Sequence, residues 1–234
     1  MTSRFWALIP AAGMGRRMGS DIPKQYLPLG GRTVLEHTLD ALAWHPDISG
    51  LVLVLGADDP HAATLPERVQ GKPLLLAKGG TERSDSVSSG LERLAGQAGD
   101  QDWVLVHDAA RPCLRREDLD RLIETLRDHP VGGLLGVPVR DTMKRAAVGD
   151  AVRETVDREG LWHALTPQMF RFGALREALR TAQARGLPVT DDASAMELAG
   201  HVPLLVEGHG DNLKITRPED LALAEFHLRQ QERL

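Results

Sequence analysis

Three cations, Arg16, Arg17 and Lys24, fall within ten residues of one another, directly behind the small residues Ala11, Ala12, Gly13 and Gly15. Without large side chains at 11–15 a ligand can lie on backbone N–H groups, and glycine permits the turn that aims them. Such a concavity suits phosphate, and the cations behind it can neutralise a polyphosphate. The apolar run Phe5–Ile9 gives out just before it. The expected chemistry is a nucleotide-phosphate loop leaving the end of a buried strand. A Gly-rich turn with solvated arginines describes the same letters, so the segment needs company. It matches neither of two better-known loops. Met18 stands where the dinucleotide fingerprint needs a small residue, and neither Gly15 nor Gly19 is followed by the Lys and Ser/Thr of a P-loop.

Further groups follow other apolar runs. Lys78-Gly79-Gly80-Thr81-Glu82-Arg83-Ser84-Asp85-Ser86 is a glycine turn leading into a helix. Its hydroxyls and amides can meet a base or ribose, or merely cap the helix. His107-Asp108-Ala109-Ala110-Arg111-Pro112 puts a carboxylate beside two small residues at a strand end. Asp108 is either a turn former or, facing a polyphosphate, a ligand for a bridging cation, and Mg²⁺ is the ordinary choice. Thr190-Asp191-Asp192 opens another helix. Lys214, flanked by Leu213 and Ile215, reads as a lysine aimed into a cleft or as an edge-strand gatekeeper.

The elements that must hold these groups alternate. Apolar runs of strand length sit at 5–9, 51–55, 74–77, 103–106, 134–139 and 202–206. Unbroken runs of this kind indicate strands covered on both faces. Between them lie helical patterns: Val34, Leu35, Leu39 and Leu42; then Leu119, Leu122, Ile123 and Leu126; last Leu221, Ala222 and Leu228 after a Thr216/Glu219 capping box. The pattern predicts an α/β fold, a Rossmann-like, mostly parallel sheet flanked by helices, with ligands beyond the carboxyl ends of the strands. The segment at about 139–160 breaks the pattern. It reads as a polar β-hairpin turning at Gly149-Asp150, a protruding arm with too little apolar surface for its own domain. A two-fold homodimer is the simplest cover for it.

A chain of 234 residues, 42% hydrophobic, can bury a real core as a single domain spanning 1–234. Net charge is 28 − 33 = −5 without a basic block, which argues against a nucleic-acid partner. No apolar run approaches the roughly 18 residues of a membrane helix. The N-terminus enters its first apolar run too soon for a signal peptide, and the one cysteine, Cys113, excludes an internal disulfide, so a cytoplasmic location is expected. No His/Cys/Asp spacing matches a zinc site, and there is no G-x-S-x-G elbow.

Taken together, PAAGMGRRM…PKQY, GG-x-ER-x-DSV, VLVHDAARPC, PVRDTMKR, TVDREGLWHALTPQ, TDDASAMEL and DNLKITRPEDLALAE closely resemble the 2-C-methyl-D-erythritol 4-phosphate cytidylyltransferase family of the non-mevalonate isoprenoid pathway. The likeness runs from about Trp6 to Phe226. It implies a nucleotidyltransferase taking CTP and the methylerythritol phosphate, with Arg17 and Lys24 stabilising the transition state and Asp108 holding Mg²⁺. Ala11, Ala12, Gly13, Gly15, Gly80, Ser86, Asp108 and Ala109 would form the nucleotide side. Arg111, Thr142, Arg158, Thr166, Thr190 and Lys214 would surround the acceptor, Arg158 and Lys214 holding its phosphate in line. The likeness also favours a homodimer through the arm. Asp192 and His209-Gly210 depart from the family pattern, which leads one to expect Glu and a less glycine-rich turn. Two rivals stay open: a relative acting on another polyol or sugar phosphate such as ribitol 5-phosphate, and a non-catalytic nucleotide-binding module.

Overall fold

The computed structural model describes residues 3–13 and 22–234. In chain order the strands are β1 (Phe5–Pro10), β2 (Pro28–Leu29), β3 (Arg32–Thr33), β4 (Ile48–Leu55), β5 (Arg68–Val69), β6 (Lys72–Lys78), β7 (Trp103–Val106), β8 (Gly132–Pro138), β9 (Met143–Ala146), β10 (Val152–Val156), β11 (Trp162–Arg171) and β12 (Leu204–Glu207). The helices are α1 (Val34–Ala43), α2 (Arg83–Leu94), α3 (Arg116–Leu126), α4 (Phe172–Ala184), α5 (Asp192–Leu198) and α6 (Glu219–Gln230). Eight strands form the main sheet in the order β12-β8-β11-β7-β1-β4-β6-β5. All run parallel except β11 and β5.

β1 explains the layering. Its residues alternate between faces, Phe5, Ala7 and Ile9 packing with Leu35, Leu39 and Leu42 of α1 and Leu119, Leu122, Ile123 and Leu126 of α3. Trp6 and Leu8 pack on the other face with Val87, Leu91 and Leu94 of α2 and with α4 and α5. Gly90 lets α2 lie close, since a Cβ there would stand 2.8 Å from Leu8 Cδ1. From β1 the chain first builds β4 and β6 on one side, then crosses to β7 on the other. This reversal opens a crevice beyond the ends of β1 and β7, where ligands of open α/β sheets bind.

Two features differ from the sequence reading. β11, ten residues long and antiparallel to both β7 and β8, falls outside the apolar runs that mark strands in the sequence. Pro167 argues against a strand because it cannot donate to a ladder, and the register with β8 does shift between Ala164 and Gln168. Trp162 and His163 begin this strand; Trp162 is half-buried and His163 is exposed. The start of α6 also differs. Asp220, not Glu219, closes the turn, accepting from the N–H of Thr216 (2.7 Å), its hydroxyl (3.0 Å) and the N–H of Arg217 (2.9 Å).

The arm is the expected hairpin. Among the described residues β9 and β10 pair only with each other, with Arg145 and Glu154 joined at 2.6 Å. Gly149 (φ 81°) and Asp150 (φ 61°) both take the left-handed conformation the turn requires. Met143, Val148 and Val152 are exposed. No helix among the described residues is long and apolar enough to cross a membrane.

His37 on α1 is buried, its Nε2 lying 2.9 Å from the Leu29 carbonyl. Burial holds it below the ordinary imidazole value, against the help of that carbonyl. The unfolded chain therefore takes up the proton first as pH falls below about 6.5, so stability drops through that window and recovers above it. His45, also lowered by burial, acts in the same direction. Urea midpoints at pH 7.5 and 5.5 should show the loss, and His37→Gln should flatten it; an unchanged slope would contradict this account.

Candidate active site

Three strand ends, a short 3₁₀ turn and the segment after β12 build one cleft. It is lined by Pro10, Ala11, Ala12 and Gly13 beyond β1, by Lys24 and Gln25, by Gly80–Arg83 and Ser86 beyond β6, by Asp108–Ala110 beyond β7, and by Lys214. Backbone forms one wall. The buried Gln25 Nε2 donates to the Ala11 carbonyl at 2.8 Å, which fixes the first loop. Ser86 Oγ accepts from Gly80 N–H (3.3 Å) and donates to the Glu82 carbonyl (3.2 Å), pinning the second loop to α2. The two loops touch at Gly79, where a Cβ would stand 2.3 Å from Ala12 Cβ, so only glycine permits the approach.

Charge forms the other wall. Asp108 is buried, with Arg83 Nε 3.1 Å from Oδ1, and Lys214 Nζ at 2.9 Å and Arg111 Nε at 3.3 Å from Oδ2. Burial pushes its carboxyl up, but Arg83, Lys214 and Arg111 outweigh that and hold it well below the usual carboxylate range. Lys24, on a short 3₁₀ turn, donates to the Ile215 carbonyl at 3.2 Å, while Ile215 N–H donates to Ala110 at 2.8 Å. Lys24 and Lys214 are thus brought to one cleft by a segment clamped to the end of β7. Lys214 lies in irregular chain, not on an edge strand.

Beneath this wall sits a neutral buried relay. His107 Nε2–H donates to the Arg111 carbonyl (3.0 Å), leaving Nδ1 to accept from the Thr166 hydroxyl (2.9 Å). The Thr166 oxygen accepts in turn from Asp108 N–H (3.2 Å). Burial lowers His107 to about 4, so the imidazole stays neutral at physiological pH. Asn212 donates to the Thr166 carbonyl (2.7 Å) and accepts from Arg111 Nη1 (2.7 Å) on its own carbonyl.

The structure therefore brings together Ala11, Ala12, Gly13, Lys24, Gly80, Ser86, Asp108, Ala109 and Lys214, with Arg111 and Thr166 immediately behind. Thr142 and Arg158 are exposed at the ends of the arm, outside the cleft lining, and Thr190 is exposed before α5. Gly15, Arg16 and Arg17 lie outside the described residues.

A backbone-lined cleft ending in cations is common to many phosphate-transfer proteins, so likeness to known proteins decides the family. The model for 2-C-methyl-D-erythritol 4-phosphate cytidylyltransferase matches residues 5–230. The chain belongs to this family. A 2-C-methyl-D-erythritol 4-phosphate cytidylyltransferase from Ectopseudomonas mendocina is 59% identical over 224 residues, covering 95% of this chain and 94% of that one. A crystal structure of a 4-diphosphocytidyl-2C-methyl-D-erythritol synthase superposes with TM-score 0.85 at 40% identity, over 97% of this chain and 100% of that one. The Francisella tularensis cytidylyltransferase gives TM-score 0.82 at 34% identity, over 97% and 100%.

Two members of the constellation in this cytidylyltransferase-family chain escape the sequence reading. Arg83 bridges Asp108 and the buried Asp192, its Nη2 standing 2.8 Å from Asp192 Oδ2. Asp192, which no motif marks for chemistry, touches the cluster through Arg83. One signal was present: a cation at the first position of a helix meets the positive end of its dipole and needs a compensating anion.

Proposed function

We propose that this chain transfers the cytidylyl group of CTP to the phosphate of 2-C-methyl-D-erythritol 4-phosphate, as a nucleotidyltransferase of non-mevalonate isoprenoid precursor synthesis. The observation that carries the reading is the pairing of a backbone-lined cleft with cations Lys24, Arg83 and Lys214 in its lining and Arg111 behind them on Asp108. An acceptor phosphate oxygen bonds to the α-phosphorus, the bond from that phosphorus to the bridging oxygen breaks, and pyrophosphate leaves. The acceptor phosphate is already largely dianionic at neutral pH, with a second pKa of about 6, so no general base is required. The neutral His107 relay is consistent with that, since it faces the protein interior and orients Asp108. What the reaction needs is a means of bringing anions together. Lys24 and Arg17 would offset charge on the α-phosphate and the departing pyrophosphate, while Lys214 and Arg158 would hold the acceptor in line.

Asp108 would also hold Mg²⁺. Among the described residues no three His, Cys, Asp or Glu side chains form a metal cluster. A single carboxylate suits an ion that takes its other ligands from phosphate and water. Lys214, the most exposed of the three cations on Asp108, would have to give way to it. The bound ion supplies charge neutralisation on the triphosphate. We further propose a homodimer through the arm and a cytoplasmic location.

Release of pyrophosphate from CTP with the methylerythritol phosphate tests the activity, with ribitol 5-phosphate as the competing acceptor. Turnover restricted to ribitol 5-phosphate would reassign the acceptor, and none with any acceptor would reject the reading. Nucleotide choice follows from the same cleft. With Gly79 pressed against Ala12 and Ser86 holding Gly80, the space between the loops favours a pyrimidine. CTP is expected to exceed GTP in kcat/KM by at least about 10²-fold, because a purine forced into that space would leave polar groups of the pocket unpaired. Comparable turnover with GTP would refute the pocket.

A further inference from the structure

Asp192 is buried at the first turn of α5, and its Oδ2 holds Arg83 Nη2 at 2.8 Å. Its Oδ1 is buried with no hydrogen-bond partner. The Arg83 guanidinium is the only link from this carboxylate to the cleft among the ion pairs of the described residues, Nε reaching Asp108 Oδ1 at 3.1 Å. A buried carboxylate with an orphaned oxygen is costly, and a fold has no packing reason to keep one where an apolar side chain would serve.

The charges around Asp108 supply a reason. Lys214 and Arg111 already stand on Oδ2, and Arg83 stands on Oδ1. A carboxylate carrying three whole cations is a poor ligand for a fourth. Asp192 takes part of the Arg83 charge onto itself and fixes the plane of the guanidinium, which in turn fixes the plane of the Asp108 carboxylate. We infer that Asp192 is a positioning residue that, by sharing Arg83, keeps Asp108 oriented and open to the divalent ion entering with the nucleotide triphosphate. The inference rests on the function proposed above and adds to it a buried partner two residues beyond Thr190.

The test uses the full chain and Mn²⁺ as probe, titrated by electron paramagnetic resonance with saturating CTP and no acceptor. Asp192→Asn keeps the shape and removes the charge. It should weaken Mn²⁺ binding about 10–100-fold, the usual cost of losing a partner behind a metal ligand. Asp192→Glu should stay near the unaltered protein. Arg83→Gln removes a whole positive charge from Asp108 and should bind Mn²⁺ at least as tightly as the unaltered protein, while kcat falls because the cleft loses one of its cations. That variant carries the test if Asp192→Asn does not fold. Unchanged Mn²⁺ affinity in folded Asp192→Asn, or weakened affinity in Arg83→Gln, would overturn the inference. Either result leaves the proposed reaction standing, since that is judged separately by pyrophosphate release from the unaltered protein.

Discussion

Lys24→Ala is expected to lower cytidylyl transfer by about 10²–10³-fold, equivalent to roughly 3–4 kcal/mol of transition-state stabilisation. The magnitude follows from position. Lys24 stands in the cleft beside the Ala11–Gly13 backbone, with Asp108 and Lys214 lining the same cleft. A charge there acts on the α-phosphate and leaving group while negative charge builds, and water cannot replace it without reorganising. The Ile215 carbonyl, 3.2 Å away, aims the ammonium without neutralising it. The fold should survive, because the lysine is only half-buried and losing one such bond costs about 1 kcal/mol. CTP affinity should change much less than kcat. Near-normal turnover in a folded variant would remove Lys24 from the chemistry, and a collapsed melting temperature would show instead that it is structural.

The fold was legible for a physical reason. β1, β4 and β7 are covered on both faces, so their unbroken apolar runs could be read as central strands without alternation. β11 was not, because half of it leaves the globule to reach the arm and Pro167 interrupts its ladder. Residues of the site that follow central strands, Ala11, Gly80 and Asp108, were found by looking at where those strands end. Arg83 and Asp192 were not, since each reads as an ordinary residue at a helix start. Their meaning depends on 109 residues of separation closing to 2.8 Å. Lys214 was ambiguous for the same reason: only contact with Asp108 separates a cleft lysine from an edge lysine. Thr166 shows a different limit. Its hydroxyl serves His107 and Asp108 in this structure, a role no local motif announces.

Arg158 leads to the second large effect. It is exposed at the return of the arm, bonded to the Arg140 carbonyl, and outside the cleft that holds Lys24 and Lys214. Thr142, at the arm's outgoing end, is exposed as well. The arm leaves Met143, Val148 and Val152 in solvent and pairs with no other strand among the described residues. A two-stranded ribbon of this kind is marginal in water, and a second copy related by a two-fold axis is the simplest cover. If each arm crosses to its partner, Arg158 completes the acceptor site of the neighbouring subunit. Arg158→Ala alone should then lower kcat/KM by about 10²-fold or more, the usual scale for a lost charge that positions a phosphate. The decisive measurement uses mixed dimers. A subunit carrying Arg158→Ala paired with one carrying Lys24→Ala contains one site with both residues intact and one with neither. Such hybrids should recover about half the activity of the unaltered dimer, although each parent homodimer is nearly inactive. Hybrids that form and stay as inactive as their parents would place Arg158 in its own subunit's site. A fully active monomer by sedimentation at assay concentration would discard the shared site altogether, because no second arm would be present to complete it.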